Sequence, residues 1–211
     1  RIMHTSNLFF IEPQARLAEK LAQISFGTHS FFCNSGAEAN EAAIKLARKW
    51  AMEHLTPRQR TIITAEKSFH GRTLATVTAT GQEKYQKPFA PLPGGFRYVP
   101  FGDLDAIEAA VDDTVCAIVL EPIQGEGGIN VPDQRYLGGV RRLCDDRGIL
   151  LILDEVQTGI GRTGKWFGYE HFGIEPDIMT LAKSLGGGFP IGACVAKGEV
   201  ATTFAPGDHA S

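Results

Sequence analysis

The sequence predicts an α/β fold in three layers, αβα, with a mostly parallel sheet between two sets of helices. Two observations carry this expectation. Largely apolar runs at residues 116–120, 149–153, 178–182 and 191–196 have strand length and alternate with helix-patterned segments. Strands that apolar need cover on both faces, which a parallel sheet flanked by helices provides. In addition, polar clusters stand directly after several runs: Asn34-Ser35-Gly36, Asp154-Glu155 and Lys183-Ser184. Open sheets of this kind bind ligands at the carboxyl ends of their strands.

The elements follow in order. Residues 12–25 place Ala15, Leu17, Ala18, Leu21, Ala22 and Ile24 at helical spacing, with Pro13 in the first turn. Ser30-Phe31-Phe32-Cys33 is a short β run. From Asn34-Ser35-Gly36 a second helix runs to about Glu53, with Ala39, Ala43, Ile44, Leu46 and Ala47 as its buried stripe. Residues 61–65 form a β-branched strand, whereas the Thr-rich residues 71–80 fit a helix or a strand equally. Pro88, Pro91, Pro93, Gly94 and Gly95 mark a surface loop. Residues 133–147 read as a helix despite Gly138 and Gly139. The organisation expected is an N-terminal segment, residues 1–27, whose helix leads into one large domain, residues 28–211. The chain contains no internal repeat and no low-complexity segment.

With 211 residues, 43% hydrophobic and 21% charged, the chain can bury one substantial core. A formal net charge of -3 gives no reason to expect nucleic acid or an anionic membrane as partner. No apolar run approaches the ~20 residues a membrane span needs. Cys33, Cys116, Cys144 and Cys194 are dispersed and lack C-x-x-C spacing, so reduced core thiols in a cytoplasmic compartment are expected and a metal site is not. The sequence starts at Arg1 and stops at Ser211 in mid-composition, so it is expected to be a piece of a longer chain, with an upstream targeting segment left open.

The strand ends carry the chemistry. Ser35-Gly36-Ala37 opens a helix whose first amides lack intrahelical partners and sit at the positive end of the helix dipole. Small residues there admit a phosphate, although an ordinary N-cap at Ser35 or Asn34 gives the same pattern. Asp154 closes an aliphatic strand, where a carboxylate needs a cationic partner or hydrogen bonds. A protonated pyridine nitrogen would serve, since such a pair is worth on the order of several kcal/mol at an effective dielectric of about 20. A supporting or metal-binding carboxylate is the alternative. Lys183 follows an apolar run and enters Gly186-Gly187-Gly188. Burial by that run would lower its pKa and make it nucleophilic towards an aldehyde, whereas an ordinary strand-end lysine is a solvated cap. Phe69, in Phe69-His70-Gly71, offers a ring for stacking or for core packing. Gly159-Ile160-Gly161-Arg162-Thr163-Gly164-Lys165 imitates a phosphate loop, and Asp154-Glu155 a Walker B. Trp166 stands where a magnesium-binding Ser or Thr is needed, which disfavours a nucleotide-binding module.

Together these segments carry a family signature. Residues 34–41 (NSGAEANE), 69–73 (FHGRT), 121–128 (EPIQGEGG), 154–159 (DEVQTG), 161–164 (GRTG) and 182–184 (AKS) occur in one order. By them the chain resembles class III, fold-type I aminotransferases dependent on pyridoxal 5′-phosphate (PLP) along essentially its whole length, and the fold implied is that family's large domain. The resemblance implies that Ser35, Gly36 and Ala37 cradle the cofactor phosphate. Phe69 and Val156 would flank its ring, Asp154 would pair with the ring nitrogen, and Gln157 would bond the ring hydroxyl. Glu155 belongs to the same cofactor-binding motif, and Lys183 would be the Schiff-base lysine. Residues 4–8, 12–14 and 91–99 are most similar to the acetylornithine and succinylornithine branch of the class. That likeness implies transfer of an ω-amino group to 2-oxoglutarate, with ornithine or 4-aminobutyrate aminotransferases and aminomutases as the nearest alternatives. Arg72 would bind a substrate carboxylate, Glu126 would be a gate carboxylate, Ser211 would reach substrate in the neighbouring subunit, and Glu121 would be structural support. A homodimer with its active site at the subunit interface is implied as well. Family members continue past the position of Ser211, so the substrate site is expected to be incomplete in this chain alone.

Overall fold

The computed structural model describes residues 5, 6 and 8–210. Among them one sheet of seven strands is formed by β1 (His29–Cys33), β2 (Thr61–Ala65), β3 (Phe96–Val99), β4 (Val115–Leu120), β5 (Leu150–Asp154), β6 (Ile178–Leu181) and β7 (Gly192–Ala196). The helices are α1 (Glu12–Ile24), α2 (Gly36–His54), α3 (Leu74–Ala79), α4 (Glu83–Gln86), α5 (Leu104–Ala110), α6 (Tyr136–Arg147) and α7 (Gly198–Thr202). The strand order is β1-β7-β6-β5-β4-β2-β3. All neighbours pair in parallel except β7, which is antiparallel to both β1 and β6. Two reversals restore the direction, so β1 points the same way as β2 to β6. Their carboxyl ends therefore open on one edge of the sheet.

The three layers follow from strand alternation. Every residue of β4, β5, β6 and β7 is buried. Ile118, Leu151, Leu153 and Met179 face one side, packing with Leu21 of α1, Ile107 of α5 and Leu137, Val140 and Leu143 of α6. Ile62, Val119, Ile152 and Ile178 face the other, against Ala42, Ala43, Ile44, Leu46 and Ala47 of α2. Each such side chain stabilises the fold by roughly 1.5–3 kcal/mol of hydrophobic transfer.

Local chemistry sets the boundaries. Ser35 caps α2 by accepting the Glu38 amide at 3.2 Å, while the Glu38 carboxylate accepts the Asn34 amide at 2.6 Å. Residues 71–80 resolve into α3, because their hydroxyls find partners along a helix: Thr78 Oγ1 donates to Leu74 O at 2.7 Å and Thr80 Oγ1 to Thr76 O at 2.9 Å. The helix expected from residue 133 begins at Tyr136, since Asp133 holds a preceding turn by accepting the Arg135 and Tyr136 amides. Four elements lie outside the sequence expectations, among them the short helices α4 and α7. Strand β3 is a half-exposed edge strand without an apolar run, and α5 is a two-turn helix capped by Asp103. No helix among the described residues is long and apolar enough to cross a membrane.

Candidate active site

A cavity of about 460 Å³ opens where the strand ends converge. It is lined from β1–α2 by Ser35, Gly36, Ala37 and Asn40, after β2 by Phe69, His70 and Arg72, and after β4 by Glu121 and Glu126. Asp154, Val156 and Gln157 come from the end of β5, and Lys183 from the end of β6. Segments separated by up to 148 residues in the chain are thus brought to one place by the common direction of their strands (from 35 to 183).

The floor is a buried polar network centred on Asp154, which is 3% exposed. Its Oδ2 accepts from Asn40 Nδ2 at 2.8 Å and pairs with His70 Nδ1 at 2.8 Å, while Oδ1 accepts the Val156 amide at 3.0 Å. Thr180 Oγ1 in turn donates to Asn40 Oδ1 at 2.7 Å. Burial alone would depress the His70 pKa, but the hydrogen bond and charge of Asp154 outweigh it and hold the imidazole above its ordinary value. The His70 ring and the Asn40 carboxamide together fix the aim of the buried carboxylate.

At one side the α2 N-terminus presents the Gly36 and Ala37 amides, which precede the first intrahelical bond, Ala39 N–H to Ser35 O at 3.0 Å. A Cβ on Gly36 would stand 3.0 and 3.1 Å from the two Val156 methyls, so the approach of backbone to this wall depends on glycine. Free amides, a helix dipole and a missing Cβ make an anion cradle. Phosphate at the helix end and a cationic ring nitrogen at Asp154 fit the residues present. Both sequence readings of this turn hold at once: Ser35 is the N-cap and also lines the cavity.

At the other side Lys183 Nζ donates to Gln157 Oε1. Its backbone is left-handed, φ 46°, a conformation that costs a residue with a Cβ on the order of 1–3 kcal/mol and aims this side chain from the strand end into the cavity. The expectation that the apolar run desolvates this amine needs correction. β6 stops at Leu181, and Lys183 is exposed at the cavity mouth in a 3-10 turn, Lys183–Gly186.

Phe69 and Val156 both line the cavity half-buried, and Arg72 lies over the Phe69 ring with its guanidinium carbon 5.8 Å from the centroid. Arg72 and Glu126 are exposed at the mouth. Glu121, at the floor, accepts the Phe69 and Gly125 amides at 3.3 Å each, and burial pushes its carboxyl up to about 7.

Glu155 does not join this group, contrary to the expectation that it contacts a cofactor. Consecutive strand residues face opposite ways. While Asp154 enters the cavity, Glu155 accepts the Gly168 and Tyr169 amides at 2.8 Å each and the Thr158 hydroxyl. Burial raises its pKa, and those three donors oppose the rise. It braces the 168–172 turn. The imitation phosphate loop is also resolved: residues 159–165 are turns, and the 3-10 segment Gly168–Phe172 stands where a nucleotide loop needs a helix. Ser211 lies outside the described residues. All four cysteines are free thiols.

Asn40, His70 and Thr180 were given no role from sequence. A signal existed for Asn40, a carboxamide on the buried face of α2 between Ala39 and Ala43. His70 lay inside a segment read only for its phenylalanine.

Comparison with known proteins agrees with this geometry. A family model described as aminotransferase class-III matches residues 1–211. The acetylornithine aminotransferase of Caldanaerobacter subterraneus is 61% identical over 210 residues, covering 100% of this chain and 53% of that protein. The crystal structure of N-acetylornithine aminotransferase from Stenotrophomonas maltophilia superposes with a TM-score of 0.81 at 46% identity, over 96% of this chain and 50% of that one. The ornithine aminotransferase of Toxoplasma gondii, with partial occupancy of PLP at its active site, gives a TM-score of 0.93 at 36% identity, over 98% of this chain and 50% of that one. The chain spans about half the length of the curated relatives it matches, 53% of the first.

Proposed function

This chain belongs to the class-III aminotransferases, and from that premise we propose that it holds PLP in the strand-end cavity of an enzyme that transaminates N2-acetylornithine with 2-oxoglutarate. The observation that carries the reading is the convergence of Lys183, Gln157, Asp154 and the Ser35-Gly36-Ala37 cradle in one cavity. The donor is chosen on similarity: relatives at 54–61% identity are acetylornithine aminotransferases.

In this reading Gly36 and Ala37 amides take the phosphate, Ser35 caps the turn that presents them, and Phe69 and Val156 hold the ring between them. Asp154 would take the ring nitrogen, Gln157 the ring hydroxyl, and Lys183 Nζ would be the amine that holds the aldehyde carbon. When bound, PLP supplies an aldehyde for amine exchange and a protonated ring that accepts the electron pair left on the substrate carbon. Asp154, fixed by Asn40 and His70, would favour a protonated nitrogen there. Lys183 Nζ, held near Gln157 Oε1, would be the base that takes a proton from the substrate carbon and the acid that gives it back. Arg72 offers a planar fork to a substrate carboxylate, and Glu126 places a negative charge at the same mouth. One cavity serving donor and acceptor in turn predicts ping-pong kinetics.

A homodimer in the cytoplasm completes the proposal. Exposed Leu74 and Phe89, 57% and 58% accessible, fit a face covered by a second subunit, and four free thiols fit a reducing compartment. The test is a substrate panel on the complete protein with 2-oxoglutarate as acceptor. Turnover of N2-acetylornithine well above ornithine and 4-aminobutyrate is expected; an inert acetylornithine with either rival turning over contradicts the assignment.

A further inference from the structure

Glu121 follows β4 directly, and it is 5% exposed at the cavity floor. Its two oxygens serve two different loops. Oε2 accepts the Phe69 amide from the segment after β2, and Oε1 accepts the Gly125 amide from the segment after β4, each at 3.3 Å. Each amide lies at the root of one of the charged residues at the cavity mouth. Phe69 carries the Arg72 guanidinium over its ring. Gly125 immediately precedes Glu126 and lies against Gln157, where a Cβ would stand 3.0 Å from Gln157 Cγ. One carboxyl therefore ties together the mounts of Arg72, Glu126 and Gln157.

We propose that Glu121 is a positioning residue for substrate recognition, holding Phe69 and Gly125 so that Arg72 stands ready to take a substrate carboxylate at the cavity mouth that Glu126 also lines. This rests on the aminotransferase reading of the cavity. The clamp responds to charge. Burial raises the Glu121 pKa to about 7; His70 lowers it and Asp154 raises it, and these are the titratable groups coupled to it inside the floor, with Arg72 and Glu126 exposed beyond. An ionised carboxylate accepts both amides strongly. A protonated one turns one oxygen into a donor that neither amide can receive.

The experiment is amide hydrogen exchange on the complete protein, wild type against Glu121→Gln and Glu121→Ala, at about pH 6 and about pH 8.5 with intrinsic rates corrected. Glutarate affinity and steady-state kinetics are measured alongside. Wild type is expected to show several-fold more protection at Phe69 and Gly125 than either variant at both pH values. The Val156 amide, held by Asp154, keeps its protection in all three proteins. Glutarate Kd and the KM for 2-oxoglutarate are expected to rise about 10-fold in Glu121→Gln, with kcat changed far less. Equal protection in the three proteins, or a fall in kcat at unchanged KM, overturns the proposal. The exchange and glutarate arms need no turnover, so they decide the role of Glu121 separately from the assignment of the reaction.

Discussion

At the scale of single residues, the site depends on a buried carboxylate held in place by three donors. Asp154 is buried with Asn40, His70 and the Val156 amide as its partners. Removing His70 takes away one of the two partners of the buried Asp154 Oδ2, so His70→Phe is expected to lower stability by about 1–3 kcal/mol in denaturant unfolding. It should also weaken the hold on a cationic ring nitrogen, read as a lowered pH midpoint in the visible absorbance of PLP-loaded protein. His70→Asn, which retains a donor, should recover part of both effects. Unchanged stability and spectrum in His70→Phe would show that Asp154 needs no imidazole.

Elements decide which residues can meet. The helix α2 brings an anion cradle to the sheet edge because its first turn is small and its cap is Ser35. Gly36→Ala pushes a Cβ against both Val156 methyls. PLP affinity should fall by about 10-fold or more, on the order of 1.4 kcal/mol, while far-ultraviolet circular dichroism stays the same. A wild-type Kd would contradict the account of the cradle. The strong strands and α2 were legible in the sequence because an apolar stripe and a cap are local signals. Strand β3 and helix α5 were not, since an edge strand with Tyr98 exposed and a seven-residue helix carry little periodicity. The threonines of α3 were undecidable locally; buried carbonyl partners along the helix settle them. Of the site, Lys183, Asp154, Gln157 and Phe69 could be read from ordered motifs. Glu155 was misplaced because sequence adjacency to Asp154 hides the alternation of side chains about a strand end. Lys183 was expected to be buried for a related reason, as the strand ends two residues before it.

For the whole molecule, common strand direction creates the site, and the buried titratable groups set its response to pH. The raised His70 pKa contributes stability that is full below the unfolded value near 6.5 and is lost as pH rises through the folded value. The raised Glu121 carboxyl behaves with the same sign, full below 4.5 and lost as pH rises through about 7. Both push one way, so denaturant midpoints of the complete protein should decline between about pH 6 and about pH 8.5 by the equivalent of roughly 1–3 kcal/mol. The decline should be smaller in Glu121→Gln. A midpoint that increases over this interval would contradict the assigned burial of both groups.

The central claim is that Lys183 is the cofactor-bearing amine of the cavity built around Asp154. Reduction of PLP-loaded complete protein with borohydride, followed by proteolysis and peptide mass mapping, tests it most directly. The account predicts that the visible band bleaches and the pyridoxyl mass is fixed on the peptide containing Lys183, with no label in Lys183→Ala. A label on another lysine, or a visible band that survives Lys183→Ala and reduces in the same way, would contradict it.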